Sequence, residues 1–251
     1  MASPTTAPHQ KNAFLIFEDR PSESRLVERV WRCRSERAGT FMSVAASNIE
    51  MVVTRHDGKV FLTVRGPETK ATFADCPADG DWVGIRLKLG TFMPSLLPAA
   101  LLDRRDVTLP AISGQRFWLN GSGWEFPSFE NAEVFVRRLA RAGIIWHDPA
   151  IDTALYRPPH GAQSRSIRSA QRHFVKATGI TLNTFRQIER ARSAANLLRR
   201  GVGIADTVHQ AGFFDQSHLT RSLKHLIGHT PARILRGEAQ LSFLYNTAPP
   251  G

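Results

Sequence analysis

Between Ser164 and Arg236 the chain carries the same plan twice: a short helical segment, a turn, and a polar, basic helical segment. A longer amphipathic stretch, Thr181 to Arg200, joins the two units. The punctuation is what constrains the fold. Gly179, Gly201 and Gly228 each follow the last periodic residue of a segment, the position of a helix stop, and Gly212 stands in the second turn. Asp215 occupies an N-cap position for the second basic helix, and Ser164 or Ser166 for the first. Asp148-Pro149 begins a short helix with Pro at its first position, and Thr230-Pro231 begins a last one. The last third of the chain is therefore expected to be all-α.

Charge singles out the same stretch. Residues 164–236 hold thirteen Lys and Arg against Glu189, Asp206 and Asp215, a net +10 of the chain's +11. Five histidines, at 173, 209, 218, 225 and 229, are interleaved with them. Most basic runs are solvated faces; this concentration on one helical unit favours a polyanionic partner.

The first half reads differently. IEMVVTRH and VFLTVR flank Asp57-Gly58, a type I′ hairpin signal. TKATFA and WVGIRLKL read as further strands, while LVERVWRC fits either a strand or a short helix. FMPSLLPAALLD reads as a short broken helix, and 117–126 as a Gly- and Trp-rich loop. Apolar residues at 129, 132, 135, 136, 139 and 140 form a helical stripe that Gly143 ends. The fold class expected is α+β: a β-rich, barrel-like α/β domain followed by an all-α double helix-turn-helix domain.

On the first basic helix, Ile167, Ala170 and Phe174 lie on the inward face and Arg168, Gln171 and Arg172 on the other. On the second, Leu219, Leu223 and Leu226 form the inward stripe, and Gln216, Ser217, His218, Thr220 and Arg221 crowd the N-terminal half. Arg and Gln give the bidentate donor sets that match guanine and adenine edges. The N-terminal half of a second helix is what enters a major groove in helix-turn-helix motifs. Base reading is assigned to Arg168, Gln171, Arg172, Gln216, Ser217, His218 and Arg221. Phosphate contact is assigned to Arg165, Ser166, Thr220, Lys224, Arg199 and Arg200, with Arg186, Arg190 and Arg233 as further candidates or solvated charges. Phe213 and Phe214 are both read as core.

SIRSAQRHF with Thr178-Gly179, then RARSAANLLRRG, then GFFDQSHLTRSLKHLIGHTPARI, resembles the DNA-binding domain of AraC/XylS-family transcription regulators. The resemblance covers about residues 148–236. It implies two helix-turn-helix units whose recognition helices carry the base-reading residues named above, about one turn of DNA apart. There are departures: Pro158, Pro159 and Gly161 interrupt the region before the first recognition helix, which implies a looser first unit. Val208 stands where a small Ala is usual, and Leu182 where Pro is common. The resemblance divides the chain into a disordered N-terminus (1–13), a sensing or dimerisation domain (14–145), the DNA-binding domain (146–237) and a tail (238–251). Promoter DNA and RNA polymerase are the partners it implies; a small-molecule effector and a homodimer are compatible with it. Trp31, Trp82, Trp118, Trp124 and Phe126 are weighed as the lining of an aromatic pocket for such an effector, against the commoner reading as core.

Other classes fare worse. Cys33 and Cys76 stand far apart, read as free thiols, and do not form the cluster of a methyl-accepting repair enzyme. No GxSxG, HExxH or phosphate-binding loop occurs, so neither a catalytic residue, a metal ligand nor a cofactor is assigned. A nonspecific architectural DNA binder is the principal alternative. No apolar run reaches membrane-spanning length and the N-terminus lacks a signal-peptide core, so a cytoplasmic location is expected.

Overall fold

The computed structural model describes residues 14–103, 105–156 and 164–239. The expected disordered N-terminus, the Pro158–Gly161 interruption and most of the tail lie outside them. The β-rich region contains β1 (Leu15–Pro21), β2 (Val27–Ser35), β3 (Gly39–Ser43), β4 (Glu50–His56), β5 (Lys59–Arg65), β6 (Thr72–Cys76), β7 (Asp81–Leu87), β8 (Thr91–Phe92) and β9 (Val107–Leu109). It continues with β10 (Ala111–Ser113), β11 (Arg116–Leu119), β12 (Ser122–Glu125), α1 (Ala132–Arg141) and β13 (Trp146–His147). The helical region follows as α2 (Pro149–Tyr156), α3 (Ser164–Thr178), α4 (Leu182–Arg199), α5 (Ile204–Gln210), α6 (Gln216–Leu226) and α7 (Pro231–Leu235).

The main sheet is antiparallel in the order β1-β2-β7-β4-β5-β9. It does not close into a barrel; β1 and β9 remain its edges. Strand alternation sends side chains to two buried faces. Val30, Met51, Val53, Leu62 and Ile85 face a large core that α1 closes with Phe135, Val136 and Leu139. Trp31, Cys33 and Val52 face the other way, into a smaller cluster with Phe14 and Cys76. A three-stranded sheet (β10-β11-β12) and the pairs β3-β6 and β8-β13 complete the region.

Several sequence expectations change here. LVERVWRC is strand β2, and an edge strand the pattern did not show, β1, lies beside it. The apolar alternation of β1 is weak because its outer positions are charged; Glu18 and Asp19 pair across the strands with Arg32 and Arg29. The expected loop at 117–126 is the β11–β12 hairpin, turned by Asn120-Gly121 with both residues at positive φ. The expected helix in 92–103 shrinks to one 3₁₀ turn, Pro98–Leu101. Trp31 and Trp82 pack in the smaller cluster, Trp124 and Phe126 pack against the large core, and Trp118 is half exposed, so among the described residues these aromatics line no common pocket. The Asp57-Gly58 hairpin is as read, both residues having positive φ.

Asp148 alone separates β13 from α2. β13 pairs back onto β8, so the division expected between residues 145 and 146 falls beside a strand of the β-rich region. Ile151 of α2 and Phe174 and Ala177 of α3 belong to the same core cluster as the main sheet.

Candidate nucleic-acid interface

The second helix-turn-helix is built by local signals that each find their partner. α5 ends in a turn where the Gly212 N–H donates to the His209 carbonyl and the Phe213 N–H to that of Val208. Gly212 takes φ of +68°, a backbone conformation that costs glycine little and other residues more. The Asp215 carboxylate then caps α6, accepting from the His218 N–H at 2.6 Å. Leu219, Leu223 and Leu226 bury their stripe against α4 and α7 with Ile188, Ala195 and Ile234. What remains outward on α6 is Gln216, Ser217, Arg221, Lys224 and His225. His218 is half-buried, its ring meeting Phe213 edge-on at 5.2 Å. The Arg190 guanidinium lies 5.8 Å over Phe213 from the α4 side. Thr220 donates its hydroxyl to the Gln216 carbonyl at 2.8 Å, so its hydrogen is committed to the helix rather than free for a phosphate.

Two corrections concern apolar residues. Phe213 is core as expected, but Phe214 is 92% exposed: one step along the turn rotates the neighbouring side chain away from α4. On α3, Ala170 is exposed rather than inward, Phe174 and Ala177 are buried, and the Ile167 side chain lies outside the described residues.

α3 presents an unbroken exposed run from Arg168 to His173, which places Arg168, Gln171 and Arg172 at the surface. Arg165 and Ser166 fall within α3, but their side chains lie outside the described residues. His173 pairs with Asp148, a buried carboxylate that also accepts from the Ala150 N–H at 3.0 Å at the start of α2. Arg200 is exposed at the end of α4. Arg199 keeps an exposed side, yet desolvation pushes its guanidinium below the ordinary arginine value, with Asp19 of β1 pulling the other way. Arg186, Arg190 and Arg233 are exposed.

Neither unit stands free of the β-rich region. The last carbonyls of a helix have no partner within it. In α6 those of His225 and Leu226 accept from the backbone N–H groups of Ala71 and Ala45, each at 2.8 Å. Val44 and Ala45 sit inside the apolar cluster of α4, α6 and α7. Gly228, at φ +82°, lies so close to Met42 that a Cβ there would come within 2.5 Å of its sulfur. Arg192 of α4 is 1% exposed and donates to the Ala45 carbonyl at 3.2 Å. A boundary at residue 145 would put Arg192 and α6 in a unit separate from residues 42–46 and Ala71. One signal was present: Arg192 shares the α4 face of Ile188 and Ala195.

An open cavity of about 640 Å³ lies in the β-rich region between the β1–β2 turn and α1. Its wall is charged, with Arg20, Arg25, Arg137 and Glu133, rather than aromatic. Both thiols are buried. Burial, with Cys76 close by, pushes the Cys33 thiol up to about 12, so little reactive thiolate forms at neutral pH. Among the described residues no three His, Cys, Asp or Glu side chains converge as metal ligands, and no helix is long and apolar enough to cross a membrane.

A family described as a helix-turn-helix domain matches residues 162–237, the span of α3 to α7. The segment is an AraC-type helix-turn-helix domain. The HTH-type transcriptional regulator RipA of Corynebacterium glutamicum is 32% identical over 99 residues, which are 39% of this chain. The chain spans 30% of that relative's length. The solved structure of ToxT from Vibrio cholerae overlaps 92% of this chain and 99% of its own, with a TM-score of 0.38 and 10% identity, an overlap too loose to define the fold.

Proposed function

We propose that the protein is a DNA-binding transcription regulator whose α3 and α6 read two adjacent major grooves. The observation that carries this reading is the outer face of α6. Gln216, Ser217 and Arg221 are exposed together at the N-terminal half of a capped helix, in a domain of helix-turn-helix type. That half of a recognition helix is the part that meets base edges. Arg168, Gln171 and Arg172 offer the matching set on α3. Lys224, Arg200, Arg186 and Arg190 serve the phosphates, with Arg199 contributing less because its guanidinium is partly desolvated. The transcriptional role follows the name of the Corynebacterium relative, and RNA polymerase is the partner that role requires.

Regulation fits the same frame. A small molecule in the charged cavity, or a second copy of the chain on the β-rich region, would act on DNA binding through the segments that hold α6, residues 42–46 and Ala71. Such coupling requires that the ligand bind two arrangements of those segments with different affinity.

The test is selection of bound sequences from genomic DNA fragments with the purified full-length protein. Enrichment of a common motif supports the reading; equal affinity for random and selected duplexes at physiological salt overturns it. On the selected duplex, Arg221→Ala should cost about 1–3 kcal/mol and relax discrimination at one base position. Lys224→Ala should weaken binding to all sequences and flatten the salt dependence.

A further inference from the structure

Phe213 and Phe214 are adjacent in the turn before α6 and face opposite ways. Phe213 is buried against α4, whereas Phe214 is 92% exposed, the highest of any large apolar side chain among the described residues. The backbone beneath Phe214 is fixed on both sides. The Phe213 N–H is bonded to the Val208 carbonyl at 2.9 Å, and the Asp215 carboxylate caps the next helix. The ring is therefore held out by a rigid turn.

A single exposed apolar residue is ordinary on a protein surface. This one stands immediately before the N-cap, at the end of α6 that displays Gln216 and Ser217, with Arg221 and Lys224 exposed along the same helix. A partner drawn to those cations and hydrogen-bonding groups meets the ring at the same time. On the major-groove edges of the base pairs, the thymine C5-methyl is the apolar group among donors and acceptors.

We propose that Phe214 packs on a thymine methyl at the mouth of the groove that α6 enters, and so sets a preference for thymine at one position. This rests on α6 reading DNA.

The experiment uses the full-length protein and the tightest duplex selected from genomic fragments, synthesised either with thymine or with deoxyuridine in its place. Wild type, Phe214→Ala, Phe214→Leu and Arg221→Ala are titrated against both. Loss of one buried methyl corresponds to about fourfold in affinity. The thymine-over-uracil preference should therefore fall by about fourfold in Phe214→Ala and be partly kept in Phe214→Leu. The unfolding midpoint of Phe214→Ala should equal that of wild type, because the ring is in solvent. An unchanged preference in Phe214→Ala overturns the inference. If Arg221→Ala is weakened while Phe214→Ala binds as wild type, DNA reading by α6 stands and the ring faces a protein partner instead. If no duplex is enriched at all, the DNA reading itself fails and this inference with it.

Discussion

The two helix-turn-helix units are unlike in what holds them. The second is organised around α4: α6 has its own N-cap and buries three leucines against α4 and α7, in a cluster that Val44 and Ala45 join, and the backbone N–H groups of Ala45 and Ala71 donate to its last carbonyls. The first leans outward. Two buried apolar residues of α3, Phe174 and Ala177, lie in the core of the main sheet, and Gly179 abuts the backbone of Pro98. An ion pair joins its His173 to Asp148 at the start of α2. A recognition helix that shares a core with another region takes its position from that region. The difference therefore assigns the two helices different sources of rigidity: α6 first from α4 and α7, with residues 44–45 and Ala71 bracing its C-terminal end, and α3 from the core of the sheet.

The sharpest way to break this contrast is Phe174→Ala. Removing a buried Phe costs about 3–5 kcal/mol, the largest effect expected here. All five tryptophans precede residue 147 and lie in the β-rich region, so their fluorescence reports that region alone. If α3 shares its core, urea unfolding followed by tryptophan fluorescence should shift to lower denaturant in Phe174→Ala, in step with the helical signal. A shift of the helical signal alone would show that α3 is independent of the sheet, and the comparison would fail.

Asp215→Ala tests the other side at smaller scale. Loss of an N-cap costs about 1 kcal/mol. The loss should fall on α6, as faster amide hydrogen exchange in its first turn and weaker DNA binding, with α3 protected as in wild type. Equal loosening of both helices would mean that the units are one cooperative block rather than two supports.

What the sequence made legible follows the same division. α6 was readable because its start, stripe and stop are local: Asp215, the leucines at 219, 223 and 226, and Gly228 all lie within four turns. The exposed base-reading candidates on α3 and α6 followed from that periodicity. Phe213 and Phe214 were not separable, because which of two adjacent aromatics points inward depends on the angle of a turn. The role of Arg192, the docking of Val44 and Ala45, and the pairing of residues 146–147 with β8 depend on contacts far apart in the chain, for which a single sequence carries no periodic signal. The β11–β12 hairpin is a different failure: Asn120-Gly121 is a strong turn signal, and the glycines and tryptophans around it masked two short strands.

The smallest effect expected concerns the segment through which the β-rich region holds α6. Glu68 forms an antiparallel bridge with Ala46, and its carboxylate accepts from the Ser43 hydroxyl and the Arg65 guanidinium, each at 2.8 Å. Burial raises its pKa above the ordinary carboxylate value, against the pull of Arg65 and Ser43. Glu50, nearby, goes the other way: burial would raise it, but Arg86 and Arg65 outweigh burial and its pKa is lowered. A group with a raised folded pKa contributes stability that is complete below its unfolded pKa and is lost as pH rises through the folded value. A group with a lowered pKa loses its contribution only as pH falls through the folded value. Just above the ordinary carboxylate range, about pH 4 to 5, Glu68 is thus the member of this pair whose titration lowers stability as pH rises. Glu68→Gln, neutral at all pH, should flatten that fall in a series of thermal unfolding midpoints taken from about pH 4 to pH 7. If the slopes of wild type and variant coincide, the Glu68 carboxyl keeps an ordinary pKa and the segment beside α6 carries no pH-sensitive support.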